Sequence, residues 1–444
     1  MASKHWLGTA GRRSYWTATT FRSPSPLKLA GALQETVASL AGSERTAPRI
    51  LLFTISKRIP SALLAGLVES IQRLPPAVQP IGCLTQDPSP SLYSASVAQW
   101  AGEPARIVPF TSTISSRPSV AVGREIIPNG SIEKTDSAAK YLGLAHHLSA
   151  ESTDSDQLPE ELRRISPSSI DSLIFFSAPA PQPFLNTLQR HLPAAKLMGL
   201  VGSSTAFETG RPSTLFRSHS ILGHHGAVGI ALLKTPYTSA NSPLVSYSNL
   251  KTLGAPMRIT EAQGNIILSL DSKRATRHLL DVINKSDGIN ESAKSTELIM
   301  SKEKEFYLGF LDDKNLVVEV CRIIGGSTSR GTMALDREKE IQGGQLVQFI
   351  HSSEPGGNAI QTGEQRPDPS HTGLSQASRT AMVEFSCSDL DHLSHAQPHE
   401  SEEDQDTSEV ERMEGLFYGS SEAGFVPRHQ TIVNLGGSSA QYML

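Results

Sequence analysis

The feature of this sequence that most restricts its fold is a strand–helix–strand pattern that occurs twice. An apolar run at residues 50–54 (ILLFT) is followed by a helical stripe at residues 60–71 and by a second run at residues 78–85 (VQPIGCLT). The second copy has the same three parts, at residues 173–177 (LIFFS), 184–192 and 196–203 (KLMGLVGS). Short apolar runs are typical of strands buried on both faces, and a helix that links two of them makes the strands parallel. The sequence therefore predicts an α/β fold with a repeated βαβ unit.

After the second copy the pattern changes to short strands that return in hairpins. Such runs occur between residues 213 and 270 and between residues 305 and 350, with one amphipathic helix predicted at residues 274–283. We therefore expect an α/β protein of mixed α+β character. The repeated βαβ units are followed by a strand-rich lobe, in layered sheets with flanking helices.

Two stretches lack the apolar periodicity of a folded element. Residues 111–137 are rich in Ser, Pro and Gly and are interpreted as a linker. Residues 352–414 form a polar, acidic insert, in which only residues 382–387 alternate enough to make a strand. Such compositions bury too little apolar surface to offset the entropy lost on ordering. We expect the insert to be disordered and the chain to return to structure at residues 415–444.

The first 34 residues are basic and rich in hydroxyl groups. They contain Lys4, Arg12, Arg13, Arg22 and Lys28 but no Asp or Glu, and they lack the apolar core of a secretory signal. This composition is typical of a mitochondrial transit peptide, so the sequence predicts import into the matrix and cleavage roughly between residues 14 and 35. The alternative interpretation is a basic tail on a cytoplasmic protein.

The overall composition disfavours several functional classes. With 40 Lys and Arg against 44 Asp and Glu, the chain has a formal charge of −4 and no basic footprint for nucleic acid. Its three cysteines lie far apart, which argues against a disulfide framework or a zinc site. No apolar run reaches the roughly 18–20 residues that a membrane-spanning helix needs, so we expect no membrane insertion.

The sequence contains none of the common catalytic or cofactor-binding motifs. There is no GxxxxGK[ST] phosphate loop, no GxGxxG after a strand and no HExxH. The run GSSEA at residues 419–423 approaches a nucleophile elbow but ends in alanine, and we interpret it as the end of a strand. His219, His224 and His225 are interpreted as a solvated hairpin, with a metal or haem ligand as the alternative.

Small residues at the carboxyl ends of the repeated strands are the candidate binding site. They are Gly82 and Thr85 in the first copy, Gly199, Gly202, Ser203 and Ser204 in the second, and Arg211 shortly after. Open α/β sheets bind ligands outside the carboxyl ends of their strands, where glycines let backbone N–H groups approach a carboxylate or phosphate. If the two copies pack as related units, their strand ends converge on a small anionic or zwitterionic ligand. The alternative is that the glycines only permit tight turns or close packing.

These runs, taken in order, resemble the FIST domain of intracellular signalling proteins. The similar segments are RILLF with QPIGCLTQ, SLIFFS with LMGLVGSS, GAVGIAL, GAPMRITEAQGNIILSLDSKRA and MALDREKEIQGGQLVQFI, which together cover roughly residues 49–350. The resemblance implies an N-terminal-like domain at residues 35–250 and a C-terminal-like domain at residues 251–351. Residues 415–444 are expected to return to the second of these domains.

The resemblance implies a non-catalytic sensory or scaffold module that binds small ligands such as amino acids. Some bacterial members of the family bind haem and sense nitric oxide, and one animal member joins the domain to an F-box and recruits substrates for ubiquitin ligation. A haem-binding gas sensor and a ubiquitin-ligase adaptor are therefore the alternatives within the family. Since no output domain is recognised in the sequence, we expect any signal to pass through a protein partner.

Two classes of function remain open. The first is the ligand-binding or protein-interaction module, because domains without placed acid–base or nucleophilic groups are poor enzyme candidates. The second is an enzyme that uses Ser203, Ser204 or Cys83 at the strand ends. Such an enzyme needs a base beside its nucleophile, and the histidines considered for that role are His146, His147 and His191.

Overall fold

The computed structural model describes residues 15–41, 49–101, 106–114, 157–218, 220–222, 225–234, 242–248, 250–285, 306–327, 329–337, 340–352, 360–362, 382–388, 409–429 and 431–444. The helices of this part are α1 (Pro26–Ala41), α2 (Ser61–Gln72), α3 (Glu160–Arg163), α4 (Gln182–His191), α5 (Ala206–Thr209) and α6 (Ala275–Lys285), with one 3₁₀ turn at Pro167–Ser169. None of these helices is long and apolar enough to cross a bilayer.

The strands, numbered in chain order, outnumber the helices. They are β1 (Tyr15–Ser23), β2 (Arg49–Ser56), β3 (Val78–Thr85), β4 (Tyr93–Ala101), β5 (Ile107–Ser112), β6 (Ile170–Ser177), β7 (Lys196–Val201), β8 (Leu215–Arg217), β9 (Ser220–Ile221), β10 (Ala227–Leu233), β11 (Leu244–Tyr247), β12 (Leu250–Gln263), β13 (Ile266–Leu270), β14 (Lys273–Arg274), β15 (Phe306–Leu311), β16 (Val317–Ser327), β17 (Thr332–Leu335), β18 (Leu346–Ser352), β19 (Ile360–Thr362), β20 (Met382–Cys387), β21 (Glu411–Glu414), β22 (Leu416–Ser421), β23 (Phe425–Arg428), β24 (Thr431–Val433) and β25 (Ser438–Met443). The fold is of the predicted α/β type, but it is richer in strands and poorer in helices than expected.

The first βαβ unit lies in a seven-stranded sheet with the order β21-β1-β4-β2-β3-β8-β9. β2 and β3 are parallel and in register along their whole length. Between them, α2 buries Leu64, Leu67 and Ile71, whose spacing of three and four residues places them on one face of the helix. α1 and α2 both cover the same side of this first sheet, where Leu33 and Phe53 are part of the shared core.

The second βαβ unit lies in a six-stranded sheet with the order β24-β23-β7-β6-β10-β5. β6 and β7 are parallel and in register, and β10 pairs with β6 from the other side in the antiparallel direction. α4 buries Phe184, Leu185 and Leu188 on one face of this second sheet. Both predicted βαβ units are therefore confirmed, each in its own mixed sheet.

The faces of the two sheets that carry no helix share one central core. Leu52 and Ile81 of the first sheet and Ile174, Phe176 and Leu200 of the second belong to the same buried cluster. The result is a helix–sheet–sheet–helix arrangement of layers. Strands that are covered on both faces need apolar side chains at almost every position, which explains the continuous apolar runs of the repeat.

A third sheet, with the order β19-β11-β25-β20-β22, is built mainly from the end of the chain. β20 and β22 are parallel, and β25 pairs antiparallel with β20 and with β11. One face of this third sheet joins the central core. The rings of Phe385 and Phe417 lie 6.0 and 6.4 Å from the ring of Phe176.

The outer edge of β22 is closed by side chains of the first sheet instead of by another strand. Thr20 Oγ1 donates to the carbonyl of Leu416 at 2.8 Å. Thr54 Oγ1 donates to the carbonyl of Tyr418 at 2.8 Å, and the N–H of Tyr418 donates to Ser96 Oγ at 3.2 Å. Thr20, Ser96 and Thr54 are buried cross-strand neighbours on β1, β4 and β2. This hydroxyl row (Thr20, Ser96 and Thr54) anchors the C-terminal segment to the first sheet.

The described strands between residues 250 and 352 form a barrel with a core of its own. Its strand order is β12-β18-β15-β16-β17-β13-β14, and the pairing of β12 with β13 closes it. α6 packs Ala275, Leu279 and Ile283 into the barrel core beside Phe349, so the amphipathic helix predicted at residues 274–283 is confirmed.

Residues 15–41 are part of the folded layers. β1 pairs with β4 along its whole length and with β21 on its other side. Phe21, Leu29 and Leu33 are buried in the core beneath α1. A leader that extended to residue 34 would remove β1 and about half of α1, so the boundary compatible with this fold lies before residue 15.

The second half of the chain departs from the predicted domain arrangement. The predicted insert at residues 352–414 contains β19, β20 and β21, and the strand predicted at residues 382–387 is confirmed as β20. Residues 363–381 and 389–408 lie outside the described residues, as does the predicted linker beyond residue 114. Residues 415–444 do not rejoin the barrel. β22 and β25 enter the third sheet, and β23 pairs with β7 of the second, because Phe417 and Phe425 are buried in the central core.

Gly82 and Gly199 do not form the predicted turns, since each lies within its strand opposite a phenylalanine. The cross-strand partner of Gly82 is Phe53, and the partner of Gly199 is Phe175. A Cβ atom on Gly82 would lie 2.7 Å from Cδ1 of Phe53, and one on Gly199 would overlap the ring of Phe175. In both copies the missing side chain makes room for a ring that lies across the strand. The alternative of close packing is therefore the one that the structure supports.

We predict that Gly199→Ala lowers the free energy of unfolding by about 1–3 kcal/mol, because the added methyl group overpacks the Phe175 ring. Gly31→Ala is the matched control, since no atom lies within 4 Å of its added Cβ on α1. This control should be neutral or should stabilise the protein by up to about 1 kcal/mol. Chemical denaturation of the three proteins measures the difference, and equal midpoints for the two variants would contradict the packing role.

Candidate ligand-binding groove

The carboxyl ends of the two βαβ units meet on one side of the molecule. Lys57 directly follows β2, and its Nζ donates to the carbonyl of Ser204, which follows β7, at 2.9 Å. Lys57 Nζ also lies 3.0 Å from Oε1 of Glu422, which follows β22. The backbone N–H of Ser204 donates to the same Oε1 at 2.7 Å. The C-terminal segment thus joins the ends of both repeats at a three-residue junction (Lys57, Ser204 and Glu422).

This junction holds a carboxylate at the place where the sequence predicts an anionic ligand. The side chains of Lys57 and Glu422 are only 13% and 12% exposed. Burial raises the pKa of Glu422, but the charge of Lys57 and the hydrogen bonds from Ser204 and Lys57 outweigh it, so the net shift is downward. The chain itself therefore supplies the anion that satisfies the Ser204 N–H.

The other predicted site residues have structural partners. The carbonyl of Thr85 accepts the N–H of Lys57 at 2.9 Å. Ser203 is the exception, because its hydroxyl is fully buried and has no hydrogen-bond partner among the described residues. Arg211 Nη1 donates to the carbonyl of Leu222 at 3.0 Å. The N–H of Gly202 donates to the carbonyl of Ser177 at 2.7 Å. The structure brings the ends of the two copies together, but none of the seven predicted residues lines the groove found beside them.

The groove has a volume of about 400 Å³ and lies at the carboxyl edge of the third sheet. Ser248 follows β11 there, Ser388 follows β20, and Ser420 lies at the end of β22. β25 begins at the same edge, and the loop that follows β3 forms the opposite wall with Asp87. The groove is thus built from segments that are far apart in the sequence.

The alternation of side chains along β20 explains why one face of the third sheet is polar. Val383, Phe385 and Cys387 are buried on the core side, whereas Glu384 and Ser386 face the groove. The paired strands repeat the pattern, because Glu384 is opposite both Tyr418 of β22 and Gln441 of β25. The Ser386 hydroxyl lies 2.6 Å from the Tyr418 hydroxyl.

Asp87 shapes the wall formed by the loop after β3. Ser56 Oγ donates to Asp87 Oδ2 at 2.7 Å, and the N–H of Ser94 donates to Oδ1 at 2.9 Å. Arg58 Nη1 lies 3.4 Å from Oδ2. Burial raises the pKa of Asp87 to about 6, although the contacts with Ser56, Arg58 and Ser94 act in the opposite direction. Both carboxylate oxygens are committed to the protein, so Asp87 positions the loop.

Among the described residues, the groups considered for an enzyme do not form a pair of nucleophile and base. Cys83 is fully buried in the central core, and burial raises the pKa of its thiol well above the usual value, which opposes formation of a nucleophilic thiolate. His191 is exposed at the end of α4, and His146 and His147 lie outside the described residues. GSSEA is confirmed as the end of a strand, because β22 is followed by a turn and β23 and not by a helix.

The residues of the groove do not fit a haem group. Within the described part of the chain, no histidine lines the groove and no cluster of three or more metal-ligating side chains occurs. The half-buried His429 has its Nε2 2.8 Å from the carbonyl of Ala195, and burial lowers its pKa. His225 is exposed, whereas His219 and His224 lie outside the described residues.

Sequence reasoning missed the groove because its lining comes from the segment interpreted as a disordered insert and from the end of the chain. The usable signal was the alternation of apolar and polar residues at 382–388. This pattern indicates a strand with one polar face, but it does not show which strands pair with it.

The family model described as the FIST N domain matches residues 50–273, just over half of the chain. No curated protein matches the sequence significantly. The matched residues contain both βαβ units, the hairpins that follow them and the first strands of the barrel. This chain therefore belongs to the FIST family.

Proposed function

We propose that this protein is a non-catalytic sensory module that binds a small polar molecule in the groove. The observation that carries this proposal is the position of the groove at the carboxyl ends of β11, β20 and β22, beside the junction of the two repeats. Ligands of α/β proteins bind at such edges because strand ends present backbone groups and short polar side chains there. Membership of the FIST family supports a role in ligand binding and signal transduction.

The size and lining of the groove favour a small hydrophilic ligand. A volume of about 400 Å³ lies within the roughly 300–1,000 Å³ typical of small-molecule sites. The lining is rich in serine and includes Tyr418 and Glu384, so it offers hydrogen bonds and little apolar surface. An amino acid is a ligand of suitable size and polarity, whereas a haem or a lipid is not.

Ligand binding in this groove would stabilise the attachment of the C-terminal segment. A molecule that binds only the assembled groove adds to the free energy of the folded arrangement in proportion to the logarithm of its concentration over Kd. One wall of the groove belongs to the third sheet. The other is the loop after β3, which connects β3 to β4 of the first sheet. Occupancy is thereby coupled to the contact between these two sheets, and a protein partner that recognises this contact would receive the signal.

The groove can be tested by filling it. We expect native mass spectrometry of the protein purified from its own source to show a bound small molecule. Ser439→Phe places a ring in the groove and should abolish that mass, whereas Ser168→Phe on the exposed 3₁₀ turn should leave it unchanged. Retention of the molecule by a folded Ser439→Phe protein, or the absence of any bound molecule in the unaltered protein, would count against this site.

We also propose that the protein is imported into the mitochondrial matrix, on the basis of its basic, acid-free N-terminal segment. Because β1 begins at Tyr15, we expect a mature chain that starts at or before that residue. Mass spectrometry of the N-terminal peptide from fractionated cells measures this start. A mature start after residue 23 would contradict a mature chain that keeps β1, and an intact N-terminus in a cytosolic fraction would contradict import.

A further inference from the structure

The charged groups of the groove indicate the chemistry of its ligand. We propose that the groove binds an ammonium or guanidinium group at the carboxylate of Glu384. This inference rests on the proposed function, because it specifies the ligand of the same groove. The two ionisable carboxyl groups that line the groove are Asp87 and Glu384, and no Lys or Arg among the described residues lines it.

Asp87 and Glu384 differ in whether a carboxylate oxygen remains free to accept a hydrogen bond from a ligand. The oxygens of Asp87 accept hydrogen bonds from Ser56 and Ser94, and Arg58 lies beside them. Glu384 receives one hydrogen bond, from Gln441 Nε2 to Oε2 at 3.2 Å. Its Oε1 accepts none from the described part of the chain. Glu384 is therefore the carboxylate with an acceptor to offer.

The guanidinium group of Arg22 does not neutralise the Glu384 carboxylate by direct contact. Arg22 lies over the ring of Tyr418, with its guanidinium carbon 4.9 Å from the ring centre, and forms no ion pair with Glu384 within the described residues. Burial raises the pKa of Glu384, while Gln441 and Arg22 partly oppose that shift. A positively charged ligand would stabilise the ionised carboxylate that burial disfavours.

Hydroxyl groups elsewhere in the groove are further acceptors for such a ligand. Ser388 Oγ is buried and makes no hydrogen bond with the described residues, whereas the buried Ser420 hydroxyl interacts with the Tyr418 hydroxyl. Both serines line the groove, and Ser420 is only 1% exposed. Ser388 lies four residues, about 13 Å, along the strand from Glu384, so a ligand that places its cation at Glu384 can place a second polar group at these hydroxyls. An anion placed here would instead face Glu384 without a cation in the groove to balance it.

Isothermal titration calorimetry with four probes tests the charge preference. Agmatine and putrescine carry positive charge without a carboxylate, succinate carries negative charge, and glycerol is neutral. We expect the cationic probes to bind and the other two not to bind. Glu384→Gln should weaken agmatine binding about 10- to 150-fold, the effect of losing a hydrogen bond to a charged group. Glu261→Gln, on an exposed position of β12, is the matched control and should bind as the unaltered protein does.

The outcomes separate this inference from the proposed function. Equal agmatine affinity in Glu384→Gln, or preferential binding of succinate or glycerol, would overturn the cationic ligand and leave the groove as a binding site. If no probe binds and no molecule co-purifies with the protein, both proposals are wrong. Melting temperature confirms that each variant folds. Should Glu384→Gln fail to fold, Glu384→Asp retains the charge on a shorter side chain and should still prefer agmatine to succinate, and the reverse preference would overturn the inference.

Discussion

The arrangement of the three sheets depends on three hydroxyl groups that close the edge of β22. Edge strands expose unpaired backbone groups, and a buried group without a partner costs about 1–3 kcal/mol. Thr20, Ser96 and Thr54 supply these partners from β1, β4 and β2, and the N–H of Gln86 donates to the carbonyl of Ser420 at the end of the same edge. The first strand of the described chain is thereby attached to its C-terminal segment. The wall of the groove that the third sheet forms is positioned by this contact, because β20 and β25 pair with β22 directly or through one strand.

The junction of Lys57, Ser204 and Glu422 decides where an anionic ligand cannot bind. The N–H of Ser204 and the charge of Lys57 form the kind of anion site that strand ends of α/β sheets present to ligands. Glu422 occupies it from within the chain, and its lowered pKa keeps the carboxylate ionised. The open space lies instead at the neighbouring edge of the third sheet, where the lining carboxylates are those of Asp87 and Glu384. The charged groups that line this groove are thus carboxylates, whereas the sequence suggested donors for the carboxylate of an anionic or zwitterionic ligand.

The local elements could be predicted from the sequence, because their signals are contained in short windows. The parallel pairs β2–β3 and β6–β7 follow from apolar runs joined by helical stripes, and α6 follows from the spacing of Leu279 and Ile283. The roles of Gly82 and Gly199 could not be predicted, because a glycine inside a strand and one at its end have the same local signature. Only the register shows that Phe53 and Phe175 lie opposite them. The groove was missed for the same reason, since the partners of β20 and β22 are distant in sequence.

The central claim is that the C-terminal segment folds as one unit with the first sheet and so completes the groove. Native-state hydrogen exchange tests this most directly at the N–H of Tyr418, whose acceptor is Ser96 Oγ. The comparison amide is that of Leu52, in the middle of β2 between β3 and β4. We expect both amides to exchange with the same free energy, that of global unfolding. Exchange of Tyr418 through an opening of lower free energy, while Leu52 stays protected, would contradict the account.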